Sequence, residues 1–146
     1  MTGVQTCALP IWGVSAFDND DACDWAYELE MAADFGLIEA ALNDVIAAED
    51  GVDPWAASVA LAACEVIARA NGGGGIKDSY TEIADTWVDK HKLKPTASLI
   101  ERAHRAITRV LGEDSELRAA WDESGNAAEW RAAVEDLRRR LGQSPR

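Results

Sequence analysis

The sequence is sparing with the residues from which small proteins build reactive or cross-linked centres. It has three cysteines, two histidines, two tyrosines and two phenylalanines in 146 residues. Cys7, Cys23 and Cys64 are odd in number, widely spaced and free of any C-x-x-C pair. That pattern argues against a disulfide framework or a structural zinc site and fits a reducing cytoplasm. Neither His91 nor His104 has a Ser, Cys or second His at ligand or triad spacing, and the strings H-E-x-x-H and G-x-S-x-G are absent, so the common zinc-protease and serine-hydrolase arrangements are not expected. No apolar run reaches the length of about 18 residues needed to cross a bilayer, so no membrane span is expected. A basic stripe with interleaved aromatics is missing too, which disfavours nucleic-acid binding. With few β-branched and aromatic residues and much alanine, the composition favours helices over strands.

Basic residues are nearly absent from the first half. Residues 1–73 hold thirteen Asp and Glu against one base, Arg69, whereas residues 74–146 hold thirteen acids and thirteen bases. The formal charge of −12 therefore belongs to the N-terminal half. Such a surface keeps a protein soluble, repels nucleic acid and anionic membrane, and attracts a cationic partner.

Residues 1–11 have no charge, no strand or helix periodicity, and a proline at position 10. The string GVQTCALPI is similar to a translated sequencing-adapter sequence found fused to unrelated proteins. Residues 1–11 are accordingly expected to be a non-native, disordered segment, residues 12–142 one helical domain, and residues 143–146 a tail.

Seven helices are expected, packed as a compact bundle-like all-α array without a β-sheet. The first runs from Asn19 or Asp20 to Ala33 and buries Ala22, Trp25, Ala26, Leu29 and Ala33, with Asp18 or Asn19 as cap and Phe17 as a hydrophobic staple on Ala22. The second reaches about Glu49 through Leu37, Ile38, Ala41, Leu42, Val45 and Ile46. Asp53-Pro54 is the strongest start signal, a capping carboxylate before a proline at the first helical position. It opens a helix to about Ala70 whose stripe is Trp55, Val59, Ala62, Ala63, Val66, Ile67 and Ala70. Because this helix is apolar almost all round, it is expected at the centre of the molecule. Asn71 and four glycines follow and read as a flexible linker. The remaining helices run from Thr81 to His91, from a Thr96 cap to Leu111, from Ser115 to Glu123 with Leu117, Ala120 and Trp121 apolar, and from an Asn126 cap along Trp130, Val134, Leu137 and Leu141. Arg138, Arg139 and Arg140 complement the dipole at the last helix end.

The stretch Trp12-Gly13-x-x-x-Phe17-Asp18-Asn19-Asp20-Asp21-Ala22-x-Asp24-Trp25 resembles the bacterial family known as domain of unknown function 4259. Members open with Met-Gly-x-Trp-Gly and then a Phe-x-Asn-Asp segment entering a helix. The likeness continues at Ala60, Glu65 and Ala68 and resumes at Ser115-Glu116-Leu117, Trp121, Glu123-Ser124 and Trp130. The sequence departs from the pattern in lacking the Met-Gly start. The resemblance implies a small helical bacterial protein and carries no activity with it.

Two constellations compete for a functional role. Asp18, Asp20, Asp21 and Asp24 form the one dense group of oxygen ligands, but without the Gly and twelfth-position Glu of a calcium loop. Carboxylates in a first helical turn are also accounted for by capping and the helix dipole. Alternatively, Asn19, Asp20 and Asp24 with Trp12 and Trp25 offer acids beside aromatic anchors, which suits a basic peptide or protein; Trp25, lying on the apolar stripe, reads more readily as core. Glu65 stands in the most apolar helix, where it either reaches solvent, acts as a buried acid, or pairs with Arg69 one turn on; the pair is the favoured reading. The binding candidates are thus Trp12, Asn19, Asp20, Asp24 and Glu65. No catalytic residue, metal ligand or cofactor is assigned. The expected function is a non-enzymatic cytoplasmic interaction or accessory module that meets a basic protein. The alternative is a metal-assisted hydrolase using the Asp18–Asp24 carboxylates, and a small-molecule site between helices stays open.

Overall fold

The computed structural model describes residues 20–74, 77 and 81–142, with the side chain of Asp20 excepted. Seven helices form among them: α1 (Asp20–Leu29), α2 (Gly36–Ile46), α3 (Pro54–Ala70), α4 (Glu82–His91), α5 (Ala97–Val110), α6 (Glu116–Ser124) and α7 (Ala127–Leu141). The described residues contain no strand, only an isolated parallel bridge between Val52 and Ser115. The all-α helical array expected from the sequence is the observed fold.

Its organising element is α3. Every residue from 57 to 69 is buried, and the helix packs against each of the other six. Ala57, Ala60, Ala62, Ala63 and Ala68 are fully enclosed. Side chains this small let neighbouring backbones approach from all sides, so one helix can be the shared core of six. Its start follows the sequence signal, since Asp53 Oδ1 accepts from the Ala56 N–H at 2.8 Å ahead of Pro54. Thr96 and Ser115 cap α5 and α6 in the same way, accepting from Leu99 N and Arg118 N. Asn126 precedes α7 but makes no side-chain cap bond; instead its N–H donates to Ser124 Oγ.

Four expectations are corrected by the packing. α1 stops at Leu29 rather than Ala33, because Met31 N–H and Ala32 N–H turn back on Glu28 and Leu29. This tight exit leaves the Ala32 carbonyl to accept from Trp87 Nε1 at 2.9 Å, and Ala33 is exposed. α2 ends at Ile46 rather than Glu49. Arg109 of α5 closes its exit, donating through Nε to Val45 O in the last turn and through Nη2 to Ala48 O just beyond the helix at 3.3 and 2.6 Å. Trp55 is 51% exposed, not core: the first turn of α3 projects beyond its neighbours and burial begins at Ala57. Ala120 is likewise exposed, while Leu117 and Trp121 are half-buried. The stripe Trp130, Val134, Leu137 and Leu141 is buried as expected, and Trp25 is core at 3% exposure. The expected Asp18 or Asn19 cap, the Phe17 staple and residues 1–11, expected to be non-native, lie outside the described residues.

The glycine run opens as a defined turn. Gly73 N–H donates to Ala68 O at 2.7 Å and Gly72 N–H to Arg69 O at 3.2 Å, with Gly72 left-handed at φ 86°. These are the paired bonds that close a helix through a left-handed glycine. Asn71 Nδ2 then donates to the Leu141 carbonyl at 3.2 Å, fastening the end of α7 to the end of α3.

Candidate functional site

The chain's buried charges gather where α3, α4 and α7 converge. Glu65 and Arg69 are one turn apart on α3 and are 5% and 8% exposed. The Glu65 carboxylate accepts from Arg69 Nε at 3.0 Å and, in a two-pronged contact, from Arg140 Nη1 and Nη2 at 2.6 and 2.9 Å. Arg69 Nη1 continues to Asp85 Oδ1 on α4 at 2.7 Å, and Lys77 lies 3.8 Å from the other Asp85 oxygen. Arg140 Nε donates to Asp136 Oδ2 at 2.8 Å. Arg139 Nη2 meets the other Asp136 oxygen at 3.2 Å, so three carboxylates face three guanidiniums and one ammonium. Hydrogen bonding to Glu65 raises Arg140 further above its already high value, although burial opposes this. The hydrogen bond from Arg140 holds Asp136 below the usual carboxylate range.

A carboxylate with both oxygens engaged by guanidinium forks is a clasp between helices rather than a poised acid or base. The favoured pairing of Glu65 with Arg69 is present, and the solvent-facing reading is corrected: a charge in a helix buried on every side has no route to water. Arg140 was missed as a partner because a C-terminal arginine run is already accounted for by the helix dipole. The signal for it lay in Glu65 itself, since a buried carboxylate beside a single arginine calls for more counter-charge.

Of the other candidates, Trp12 and Asn19 lie outside the described residues, and Asp20 opens α1 with its side chain undescribed. Asp24 is exposed on α1. It shares a stripe with Tyr27 and Glu28, spaced three and one along the helix and opposite the buried Ala22, Trp25, Ala26 and Leu29, and Met31 is exposed just past the helix end. Among the described residues no group of three or more His, Cys, Asp or Glu side chains is placed to hold a metal ion. His104 Nε2 bonds the Gly142 carbonyl at 2.7 Å, and the His91 ring packs on Trp87 with centroids 4.8 Å apart.

The carboxylates of the first half are otherwise outside. Asp24, Glu28, Glu30, Asp34, Asp44, Glu49, Asp50 and Asp53 are exposed, and none of them joins an ion pair among the described residues. The arginines of α5 to α7 mostly do the reverse: Arg109, Arg118, Arg131, Arg138 and Arg139 each meet a nearby Asp or Glu. Along the same stretch of chain the side chains of Tyr27, Met31 and Trp55 are exposed.

Cys64 is enclosed in α3, and its thiol reaches the Ala103 carbonyl at 3.6 Å. Burial first, and the neighbouring Glu65 charge second, push the thiol far above its usual range. The nucleophilic thiolate is therefore suppressed. In the unfolded chain the thiol ionises near pH 8.5, while in the folded one it stays protonated. Above that pH the unfolded state holds fewer protons, so stability falls by up to about 1.4 kcal/mol per pH unit. Urea titrations at stepped alkaline pH should show a shallower decline for Cys64→Ala than for the parent; identical slopes would mean that Cys64 is not the group responsible.

The fold and its buried clasp define an all-α array wrapped around one central small-residue helix. The family profile described as domain of unknown function (DUF4259) matches residues 10–133, and the chain belongs to that family. No curated protein and no solved structure matches it.

Proposed function

We propose that the protein is a non-enzymatic cytoplasmic interaction or accessory module whose acidic first half receives a cationic protein partner. One observation carries this reading: the carboxylates from Asp24 to Asp53 named above are exposed and, among the described residues, meet no cation, in a stretch of chain without a base. Unneutralised charge of one sign steers an oppositely charged partner to the surface and raises its on-rate. Exposed aromatic and thioether side chains among those carboxylates supply apolar anchors that charge alone lacks. Among the described residues no helix is long and apolar enough to cross a membrane, in keeping with a partner met in solution.

The test uses a fluorescent peptide alternating Arg and Leu. Binding should weaken steeply as salt rises from about 50 to 200 mM. Trp55→Ala and the pair Glu49→Lys with Asp50→Lys should each weaken it about tenfold, with melting temperatures close to the parent. Unchanged affinity in the charge-reversed variant would remove the acidic surface as the receptor. Added Mg²⁺, Mn²⁺ or Ca²⁺ should leave the melting temperature where it is. A rise would favour a metal-assisted hydrolase built on the Asp18–Asp24 carboxylates, because a ligand bound only to the folded state stabilises it by mass action.

A further inference from the structure

We infer that the outer face of α6, together with the first turn of α3, is the docking site for a cationic amphipathic helix of a partner protein. This rests on the proposed reception of a cationic partner and gives it a place and a shape.

α6 is short of cover. It has nine residues and none of them is buried, whereas the other six helices all contain buried residues. Isolated helices shorter than about 12–15 residues are only marginally stable in water, so a helix of this length depends on its neighbours. Its ends are well made, with the Ser115 cap and a left-handed Gly125. Its side is not. Leu117 and Trp121 pack on the core along one flank, and Trp121 stacks on the buried Trp130 with centroids 6.2 Å apart. Both nevertheless stay half-exposed, and Ala120 is open.

A second apolar group adjoins this helix. Val52 N–H donates to Asp114 O at 3.0 Å and Glu116 N–H donates to Val52 O at 2.9 Å. That bridge lays the start of α3 against the start of α6, and Pro54 and Trp55 in the first turn of α3 are exposed.

The charge along these segments has one sign. Asp50, Asp53, Glu113, Glu116 and Glu123 are exposed and, among the described residues, meet no cation. Helix dipoles account for Asp53 and Glu116, which stand at the N-terminal ends of α3 and α6. They do not account for the other three. Asp50 and Glu113 follow the C-terminal ends of α2 and α5, and Glu123 lies in the last turn of α6, where a carboxylate is disfavoured. The arginines of these segments are engaged elsewhere, Arg118 and Arg131 by Asp122 and Arg109 by Asp114.

These features select the occupant. Glu116, Ala120 and Glu123 recur four and three residues apart and so share the outer face of α6, with Leu117 and Trp121 on its flank. A helix laid along that face covers Ala120 and the open edges of Leu117 and Trp121 with an apolar stripe. Arginines or lysines flanking the stripe then meet Glu116 and Glu123, the usual pattern of recognition by an amphipathic helix. The same carboxylates repel an acidic helix.

A synthetic peptide with a leucine stripe at helical spacing flanked by arginines, titrated into the full chain and followed by amide NMR shifts and fluorescence anisotropy, tests the assignment. Saturable binding is expected, with shifts centred on Trp55, Leu117, Ala120 and Glu123. A scrambled peptide of the same composition, and one with glutamates in place of the arginines, should each bind at least about tenfold more weakly. Ala120→Arg and the pair Glu113→Lys with Glu123→Lys alter exposed positions. Their melting temperatures should stay near the parent while affinity falls at least about tenfold. Asp24→Lys with Glu28→Lys on α1 should leave the affinity within about twofold, because salt screens distant surface charges. Affinity lost in the α1 variant but kept in Ala120→Arg would overturn this site and leave the reception of a cationic partner standing. Equal binding of the scrambled peptide, or shifts centred away from α6, would do the same. If neither this peptide nor the alternating Arg-Leu peptide binds, the site and the wider proposal fall together.

Discussion

Replacing Glu65 with alanine should destabilise the protein by about 3 kcal/mol, at the low end of the range for breaking a buried ion pair. The low end applies because Arg69 retains Asp85 and Arg140 retains Asp136. The cost arises from the guanidinium N–H groups that now face the emptied Glu65 position without an acceptor. A fall in Tm on the order of 10 °C should accompany it, read by far-ultraviolet circular dichroism and urea titration. Glu65→Gln keeps an acceptor oxygen but not the charge, and should fall between the two. Exchanging Glu65, Arg69 and Arg140 together for Leu and Met should recover much of the loss, since an apolar cluster of like volume spares the desolvation of ions. A Glu65→Ala protein within about 1 kcal/mol of the parent would show that the clasp contributes little.

The Gly73→Ala variant should cost about 3 kcal/mol, at the top of the range for an inserted methyl. A Cβ at this position collides with the Arg140 carbonyl oxygen. The obstacle is backbone, so no side-chain rotation relieves the contact, and the last turn of α7 must move. That turn also presents the Arg140 guanidinium to Glu65 and to the Gly73 carbonyl. The perturbation therefore reaches the clasp. Gly74→Ala, with nothing within 4 Å of its added carbon, should stay within about 0.5 kcal/mol of the parent. Equal effects at the two positions would show that the loop is pliable and that Gly73 is not a fixed point of approach.

Local rules were legible where a residue's role depends on its near neighbours. Asp53-Pro54, Thr96 and Ser115 announced helix starts because a cap and its N–H acceptors lie within one turn. The Trp130–Leu141 stripe announced a buried face because its period is that of a helix. The centrality of α3 followed from its having almost no polar side. What stayed hidden were contacts between distant parts of the chain. Arg140 meets Glu65 across 75 positions, and Arg109 meets the Val45 carbonyl across 64. Neither arginine differs in sequence from its solvated neighbours. Trp55 misled for a related reason: helical spacing placed it on the stripe, but only the arrangement of neighbours shows where along a helix the cover begins. The glycine run read as loose because composition does not reveal that Gly73 lies against the Arg140 carbonyl.

The enclosed position of α3 bears on how the molecule is made. A ribosome delivers this helix before α4, α5, α6 and α7 exist, and all four belong to its eventual cover. For the time needed to synthesise the remaining half, the nascent chain presents a greasy rod with only α1 and α2 to cover it. Cells producing this protein quickly should find it a client of holding chaperones, and slower translation or cooler growth should raise the yield of soluble product.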